Sequence, residues 1–282
     1  MVRPEDITLC TPDNEKSCFA CCPPIRPKDY EHVQYRNTIK RMLRDNTRAF
    51  DPAENSIKLI TGFSCWALGY LDKDFKTIGC LLHPARHDGR DLRYRTGYGE
   101  KCRRESCPQS ITFLRLSKKA RQFFLGLTTQ LDSFDYSSKK YNPLFRLLGW
   151  GSKILEKVSQ ESRTNVLDRE TFFRRYPVLV SLPDPRPTRY MLERVVDNLG
   201  VDILRSEQFS LMFQDFFKNT VQELSDLALR GGATFTHQLG MGEAFQDMLR
   251  LAVGIKRIDR DQALRLKEKV DQDLANFVRT IG

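Results

Sequence analysis

Cysteine is the residue type in this chain with the most chemistry available to it, because thiolates bind metals, form disulfides and act as nucleophiles. All eight cysteines precede residue 108, and residues 108–282 contain none. A chain crosslinked throughout would carry cysteines along its whole length, so this distribution indicates one local structure that uses them. They are Cys10, Cys18, Cys21, Cys22, Cys65, Cys80, Cys102 and Cys107. We interpret them as a metal-binding module.

The start of the chain favours metal binding over disulfides. Residues 1–6 show neither the apolar stretch nor the cleavage site of a secretory signal. The sequence has no apolar run near the roughly 18 residues of a membrane-spanning helix, and no lipidation motif. We therefore expect a cytoplasmic protein that does not associate with a membrane. In a reducing cytosol, clustered cysteines bind metal or carry out redox chemistry more often than they form bridges. Disulfides and buried thiols remain the alternatives.

A predicted β-hairpin brings two of the thiols together. Two strand-like runs flank the polar residues Asp72-Lys73-Asp74. With a two-residue loop at Asp72-Lys73, Cys65 faces Cys80, and their Cβ atoms lie ~4.5–5.5 Å apart. That separation suits two thiolates on one zinc ion, with Zn–S bonds of about 2.3 Å, and it also suits a disulfide. A loop of three or four residues would change this pairing.

The segment around Cys18 is predicted to supply further ligands. The Cys18-x2-Cys21 spacing lets two thiolates of one tight turn reach the same ion. Cys22 is adjacent to Cys21, and consecutive side chains of an extended segment point to opposite sides. One of the two is therefore expected to be structural or to serve a second metal.

Charged residues and histidines near the later cysteines are predicted to support the site. Arg103 and Arg104, which lie between Cys102 and Cys107 in the sequence, are expected to lower the pKa values of these two thiols and to stabilise the thiolates. We expect His83 to lie outside the ligand sphere, in contact with the ligands, and we leave the role of His87 open.

The order of these motifs resembles the YkgJ-like family, whose members are described as zinc- or iron-chelating. The family pattern reads CxxCxxCC, then a cysteine before a short hairpin, then C-x-[IL]-[YH]-x-x-P and a late CR. Over residues 15–108 the chain matches at four places: Cys18-x2-Cys21-Cys22, Cys65, Cys80-Leu81-Leu82-His83-Pro84 and Cys102-Arg103. The chain departs from the family pattern at Glu15, where the family's first cysteine would stand. Either Cys10 takes the place of that cysteine, or this ligand is missing. A long insertion also separates Pro84 from Cys102.

The resemblance implies metal binding, and some relatives carry the same motif in flagellin lysine methylases. Zinc and an iron–sulfur cluster both suit thiolate ligands. Seven motif cysteines exceed the four that one structural zinc needs, which favours a cluster of the [4Fe-4S] type with further thiols or a second site. The sequence lacks the ferredoxin spacings that would be stronger evidence for a cluster. The predicted ligands are Cys18, Cys21, Cys22, Cys65, Cys80, Cys102 and Cys107, with Cys10 as the last candidate.

The remaining sequence has the pattern of a helical protein. Apolar residues recur at helical spacing over residues 30–50, from Phe113 to Leu127, and over Ser206–Arg230. Ser206 is a predicted N-cap, and Gly231-Gly232 is a predicted stop. The prolines Pro183, Pro185 and Pro187 predict a linker or a rigid turn. We predict a mainly α fold in which residues 1–112 form a small Cys-rich region with irregular structure and a β-hairpin. Residues 113–282 form a C-terminal helical bundle.

Positive charge is concentrated in the middle of the chain. The net charge is +10, and residues 111–190 contain 15 Lys or Arg against 7 Asp or Glu. A basic surface binds nucleic acid or acidic partners through phosphates or carboxylates. The same excess of Lys and Arg is explained by a basic surface that only contacts solvent, or by basic side chains that balance the negative charge of metal-bound thiolates. Nucleic-acid binding is therefore the less favoured interpretation, and a protein partner stays open.

Three functions are compatible with these observations. The first is a protein that binds an iron–sulfur cluster or zinc through N-terminal thiolates. The second is a metal-dependent protein-modifying enzyme related to the flagellin lysine methylases, for which S-adenosylmethionine binding is diagnostic. The third is a nucleic-acid-binding adaptor that uses the basic middle region and binds less tightly as salt rises. The sequence contains no H-E-x-x-H, G-x-S-x-G or P-loop motif, so catalytic residues stay unassigned.

Overall fold

The computed structural model describes residues 7–22, 30–61, 64–104, 107–161, 168–182, 184–228 and 232–281. Within them the protein is mainly helical, with one two-stranded antiparallel sheet, as predicted. The chain divides into two units, Met1–Phe145 and Arg146–Gly282, and all eight cysteines fall in the first. None of the helices in the described residues is both long and apolar enough to cross a membrane.

The first unit combines short helices with the small sheet. Single 3-10 turns lie at His32–Tyr35, Pro84–Arg86 and Arg93–Thr96. The helices and strands are α1 (Arg36–Ala49), β1 (Leu68–Tyr70), β2 (Ile78–Cys80), α2 (Gly99–Arg104), α3 (Pro108–Arg115), α4 (Lys118–Gly126) and α5 (Ser133–Ser137). The short helix α6 (Pro143–Leu147) contains the point where the two units divide.

Helix α1 packs on the sheet with its apolar face, as expected for the pattern of residues 30–50. Ile39 and Leu43 are buried on that face. Thr47 of the same helix accepts a hydrogen bond from the backbone N–H of Tyr70 at 2.8 Å, which ties α1 to β1. The first unit therefore has a core built on one helix and one hairpin.

The hairpin forms, but its register differs from the predicted one. Leu68, rather than Cys65, pairs with Cys80. The loop is longer than two residues because the Asp72 carboxylate accepts hydrogen bonds from several backbone N–H groups within it. These donors belong to Asp74, Lys76 and Thr77. The predicted direct pairing of Cys65 with Cys80 across the strands is therefore wrong.

The continuous helix predicted after Pro108 is in fact two helices. Helix α3 ends at Arg115 and α4 begins at Lys118. Ser117 caps the second helix, since its hydroxyl accepts a hydrogen bond from the N–H of Ala120 at 3.2 Å. A serine side chain that accepts a hydrogen bond from a first-turn N–H group favours the start of a new helix at that point, so the preceding helix ends before it.

The second unit is built from helices and shorter turns. Its helices are α7 (Gly151–Glu161), α8 (Arg169–Arg175), α9 (Val178–Ser181), α10 (Pro185–Leu199), α11 (Glu207–Leu227), α12 (Glu243–Asp247) and α13 (Arg260–Ile281). They are joined by 3-10 turns at Leu148–Trp150, Val201–Arg205 and Thr236–Gln238, and a π-helical turn at Met248–Ala252 follows α12.

Helix α10 lies at the centre of this unit and contacts α7, α12 and α13. Pro185 and Pro187 lie in its first turn, where the backbone N–H groups have no helical partner and the φ of proline fits. The linker or rigid turn predicted at these prolines is therefore, at Pro185 and Pro187, the start of a helix, and Pro183 lies outside the described residues. Arg186 of the same turn holds the buried carboxylate of Asp247 through hydrogen bonds of 2.8 and 3.0 Å.

The helix predicted over Ser206–Arg230 is confirmed as α11. Ser206 caps its start, accepting a hydrogen bond from the N–H of Phe209 at 3.1 Å. The helix ends at Leu227, before the predicted glycine stop, of which Gly231 lies outside the described residues. The phenylalanine rings of α11 contact Phe277 of α13, so they belong to the interior of this unit.

Gly232 is expected to tolerate no side chain. A Cβ atom there would lie 2.3 Å from the Cα and the carbonyl carbon of Ile258, and backbone atoms cannot rotate away. Gly232→Ala is expected to lower the free energy of unfolding of the second unit by about 3 kcal/mol in urea titrations. Gly242→Ala is the matched control, because no atom lies within 4 Å of its added Cβ, and its effect should stay below about 1 kcal/mol. Equal stability of the two variants would contradict this reading of the packing.

Candidate functional site

Three serine hydroxyls hold the segment that contains Cys18–Cys22. The Ser17 hydroxyl accepts a hydrogen bond from the N–H of Ile78 at 2.6 Å and donates to its carbonyl at 2.7 Å. The Ser133 hydroxyl accepts from the N–H of Ser17 at 3.0 Å, and the Ser137 hydroxyl accepts from the N–H that follows Cys18 at 2.9 Å. These bonds fix the segment to β2 and α5, and so they determine where its thiols lie.

The apolar core of the first unit brings three thiols to one place. Cys65 is 6% exposed and belongs to the buried apolar cluster, and Cys22 and Cys80 pack against that cluster. The side-chain amide of Asn46 on α1 donates to the carbonyl of Cys65 at 3.2 Å. Cys65 and Cys80 therefore become neighbours through packing, although they are not partners in the sheet.

The side chain of Arg93 is hydrogen-bonded both to Cys102 and to Asp91. Its Nη1 donates to the carbonyl of Cys102 at 2.9 Å, while Nε and Nη2 donate to the two carboxylate oxygens of Asp91 at 2.8 and 2.7 Å. This guanidinium lowers the pKa of Asp91 to about 2. It also opposes the rise in the pKa of the Cys80 thiol that burial causes. Arg93 was not predicted from the sequence, where the Asp91-x-Arg93 spacing was its one signal.

Cys10 and Cys107 come from outside the core cluster. The carbonyl of Cys10 accepts a hydrogen bond from the N–H of Cys18 at 2.8 Å, which joins their two segments. The Cys10 thiol is hydrogen-bonded to the side chain of Ser110 on α3. Cys107 immediately precedes α3, and its Sγ lies 3.1 Å from Oε1 of Gln109.

The thiols that influence one another's pKa values divide into two sets, and we call the first, which comprises Cys10, Cys18, Cys21 and Cys107, the outer thiol group. Burial, followed by the neighbouring Cys21 and Cys107, raises the pKa of Cys10 to about 11. Burial also raises the pKa of Cys18, and the other three thiols add to that rise. Counted over all their atoms, Cys10 and Cys21 are exposed to solvent. The thiol group of Cys10 is nevertheless largely surrounded by protein atoms, which is why its pKa is raised.

The other four thiols form what we call the inner thiol group, which comprises Cys22, Cys65, Cys80 and Cys102. Burial, followed by Cys65 and Cys102, raises the pKa of Cys80 to about 12. Burial, followed by Cys102, raises the pKa of Cys65 to about 11. The pKa of Cys22 is raised first by its hydrogen bond with Cys21, then by burial and by Cys80 and Cys65. None of these four residues is exposed.

The two groups meet at Cys21 and Cys22. The chain turns there, because the N–H of Cys22 donates to the carbonyl of Phe19 at 3.0 Å, and the side chains of the two cysteines are hydrogen-bonded. None of the eight cysteines, all of which lie in described segments, forms a disulfide. Across the described residues, no three His, Cys, Asp or Glu side chains are arranged closely enough to hold a metal ion as they stand.

Both histidines near the inner thiol group stabilise the loop that follows β2. Nδ1 of His83 accepts a hydrogen bond from the N–H of Ala85 at 3.2 Å, and Nε2 of His87 lies 2.7 Å from the carbonyl oxygen of Leu81. Arg103, which was expected to act on Cys102, forms an exposed ion pair with Glu100. The side chain of Arg104 lies outside the described residues.

A cleft of about 550 Å³ is lined by residues of α2 and of the loop that precedes it. Two of its lining residues, Lys101 and Arg103, flank Cys102 in the sequence of α2. Gly99 allows the loop to close tightly, because a Cβ there would lie 2.7 Å from the Cα of Tyr94. The lining residues are Asp91, Tyr94, Gly97, Tyr98, Gly99, Glu100, Lys101 and Arg103.

Comparison of the chain with family models, with curated proteins and with solved structures finds no match.

Proposed function

We propose that the first unit is a metal-binding module with two centres, each held by four cysteine thiolates. The outer thiol group provides one centre and the inner thiol group provides the other. The observation that carries the proposal is that the first unit holds all eight cysteines with no disulfide among them, and that their thiols influence one another's pKa values in two sets of four, joined at Cys21 and Cys22. Four thiolates are the ligand set of a structural zinc ion and of a cubane iron–sulfur cluster.

Metal binding would have to draw the thiols closer together, because no three potential ligands among the described residues are close enough to hold an ion as they stand. Thiols with pKa values of about 11 and 12 are protonated and neutral at neutral pH, so nothing draws their sulfur atoms together without an ion. A zinc ion with Zn–S bonds of about 2.3 Å supplies that attraction and displaces the thiol protons. Metal affinity should therefore rise with pH. The reducing cytosol that we propose as the compartment keeps the thiols available.

Metal analysis of the purified protein tests this proposal. The expected result is two zinc ions per chain without visible colour, or iron and sulfide for two clusters with a broad absorption near ~400 nm. Protein should be purified both aerobically and anaerobically, since clusters are lost in air and zinc is not. Protein that binds neither metal under either condition, with all eight thiols reduced, would overturn the proposal.

A second candidate function is suggested by the cleft at α2. A small molecule bound there would contact Lys101 and Arg103, the sequence neighbours of Cys102, and a metal-dependent modifying enzyme needs its ligand near the metal. The resemblance to a family that includes flagellin lysine methylases makes S-adenosylmethionine the ligand to test. Its saturable binding to the metal-containing protein, reduced by Tyr98→Ala, would favour the enzyme. No binding would favour a metal-binding protein without this activity.

A further inference from the structure

Helix α1 carries a row of positive charges along one side. Side chains three or four residues apart are neighbours on a helix surface, so four cations of α1 form one continuous strip. We call it the α1 cationic stripe, and it comprises Lys40, Arg41, Arg44 and Arg48. The three arginines are exposed to solvent and the lysine is half-buried.

The α1 cationic stripe has no acidic counterpart. Among the described residues, neither Asp45, the one acidic residue of α1, nor any other carboxylate is ion-paired with a member of the stripe. Arg36, one turn before the stripe, shows the contrast, because Asp132 and Asp135 both bind its guanidinium. The fold therefore neutralises the first cation of this helix and leaves the next four uncompensated.

This arrangement costs the folded protein stability, because like charges three or four residues apart on a helix repel each other. The packing of α1 does not need the cations, since Ile39 and Leu43 form its buried face. A bound polyanion would remove the repulsion, and its negative charges would be attracted to the stripe. The unpaired charges therefore point to a partner that carries a series of negative charges.

An exposed phenylalanine lies against the stripe. The guanidinium of Arg44 is 5.4 Å from the centre of the Phe75 ring, and Phe75 is 46% exposed. Its φ of 58° is left-handed, which is uncommon for a bulky residue. The Asp72 carboxylate fixes this turn by accepting hydrogen bonds from the N–H groups of Asp74 and Lys76. Glycine or asparagine would adopt this conformation at lower cost, so the aromatic ring itself requires an explanation.

A second exposed aromatic ring marks the start of α1. Tyr35, the residue before the helix, is 46% exposed, and its ring stacks on Tyr30 with the ring centres 5.7 Å apart. The nine residues from Tyr35 to Arg44 span roughly 14 Å of helix. Cations alternating with exposed aromatic rings are typical of surfaces that bind single-stranded nucleic acid, where phosphates pair with the cations and bases stack on the rings. A membrane or an acidic protein would use the charges but offers no bases to the rings.

We infer that helix α1 and the tip of the hairpin bind single-stranded nucleic acid. The α1 cationic stripe pairs with consecutive phosphates, and Phe75 and Tyr35 stack on bases. Such contacts read the charge of the strand and the faces of its bases, so binding shows little sequence preference. This surface is separate from the basic region over residues 111–190, and its function does not depend on a metal.

The test is binding of the full chain to labelled oligothymidylate and oligouridylate of about 15 nucleotides, followed by fluorescence anisotropy. Four phosphate contacts predict that affinity falls roughly 50-fold between 50 and 200 mM salt. The triple variant Arg41→Gln, Arg44→Gln, Arg48→Gln should bind at least about tenfold more weakly and should lose most of this salt dependence. Preference for one of the two oligonucleotides would distinguish DNA from RNA, and failure of both to bind would overturn the inference.

A second triple variant, Arg90→Gln, Lys118→Gln, Lys119→Gln, is the matched control. It removes the same charge from exposed positions of the same unit that lie outside α1, and its affinity should stay within about twofold. An equal loss in the two triple variants would mean that only net charge attracts the strand, and the inference would be wrong. Melting temperatures of both variants confirm that each remains folded.

Substitution of Phe75 separates nucleic acid from other polyanions. Phe75→Leu keeps an apolar side chain without a ring and should weaken oligonucleotide binding by about fivefold or more, whereas Phe75→Tyr should bind normally. Polyglutamate and vesicles containing phosphatidylserine serve as the competing partners. If either binds as tightly as the oligonucleotides and Phe75→Leu has no effect, the surface serves an acidic protein or a membrane and the inference fails.

Discussion

If the first unit binds metal as proposed, removal of the metal is expected to destabilise the first unit and to leave the second unit unchanged. Cys22, Cys65 and Cys80 contact the core of the first unit, whereas the second contains no cysteine. When a metal binds only the folded state, its binding energy adds to folding stability. A loss of about 5 kcal/mol or more corresponds to a decrease of roughly 15 °C in the melting temperature of a unit of this size.

The two tryptophans of the chain allow each unit to be followed separately. Trp66 lies in the first unit, and Trp150 is fully buried in the second. Fluorescence of Trp150→Phe therefore reports the first unit, and fluorescence of Trp66→Phe reports the second. Chelation under reducing conditions should lower the melting temperature seen by Trp66 and leave that seen by Trp150 within about 2 °C. Complete loss of metal without a change at Trp66 would contradict the prediction.

Substitution of the adjacent residues Cys21 and Cys22 is expected to remove different metals. Each single change to serine takes one thiolate from one group of four, so each variant should retain about half of the metal. A hydroxyl is a poor ligand for zinc or iron compared with a thiolate. Because these single variants look alike in total metal content, their difference appears only in combination with a second substitution.

Paired substitutions identify the group to which each cysteine belongs. Cys10→Ser combined with Cys21→Ser removes two ligands of the outer thiol group and should still leave about half of the metal. Cys10→Ser combined with Cys22→Ser affects both groups and should leave almost none. Metal per chain, measured on folded protein, distinguishes these cases. Equal metal content in the two double variants would show that Cys21 and Cys22 serve one shared centre instead.

Local patterns were sufficient to predict that the chain is mainly helical and to locate helices α1 and α11. The apolar spacing of α1 and α11 and the Ser206 cap of α11 lie within contiguous residues, so these signals can be read from the sequence alone. Where a side chain made an unexpected local bond, the prediction failed. Ser117 starts a new helix within a continuous apolar pattern, and the Asp72 carboxylate lengthens the hairpin loop. In both places a polar side chain satisfies backbone donors that the periodic pattern does not consider.

The sequence by itself determined which residues are able to bind metal and that they lie in one part of a mainly helical chain, because residue type and spacing are local properties. Only the tertiary structure decided how the cysteines group and that Arg93 stands beside the inner thiol group. Those positions depend on contacts between distant residues, such as the bonds of Ser17 to Ile78 and to Ser133, which are 61 and 116 residues away. Sequence spacing carries no information on which distant segments such hydroxyls will join.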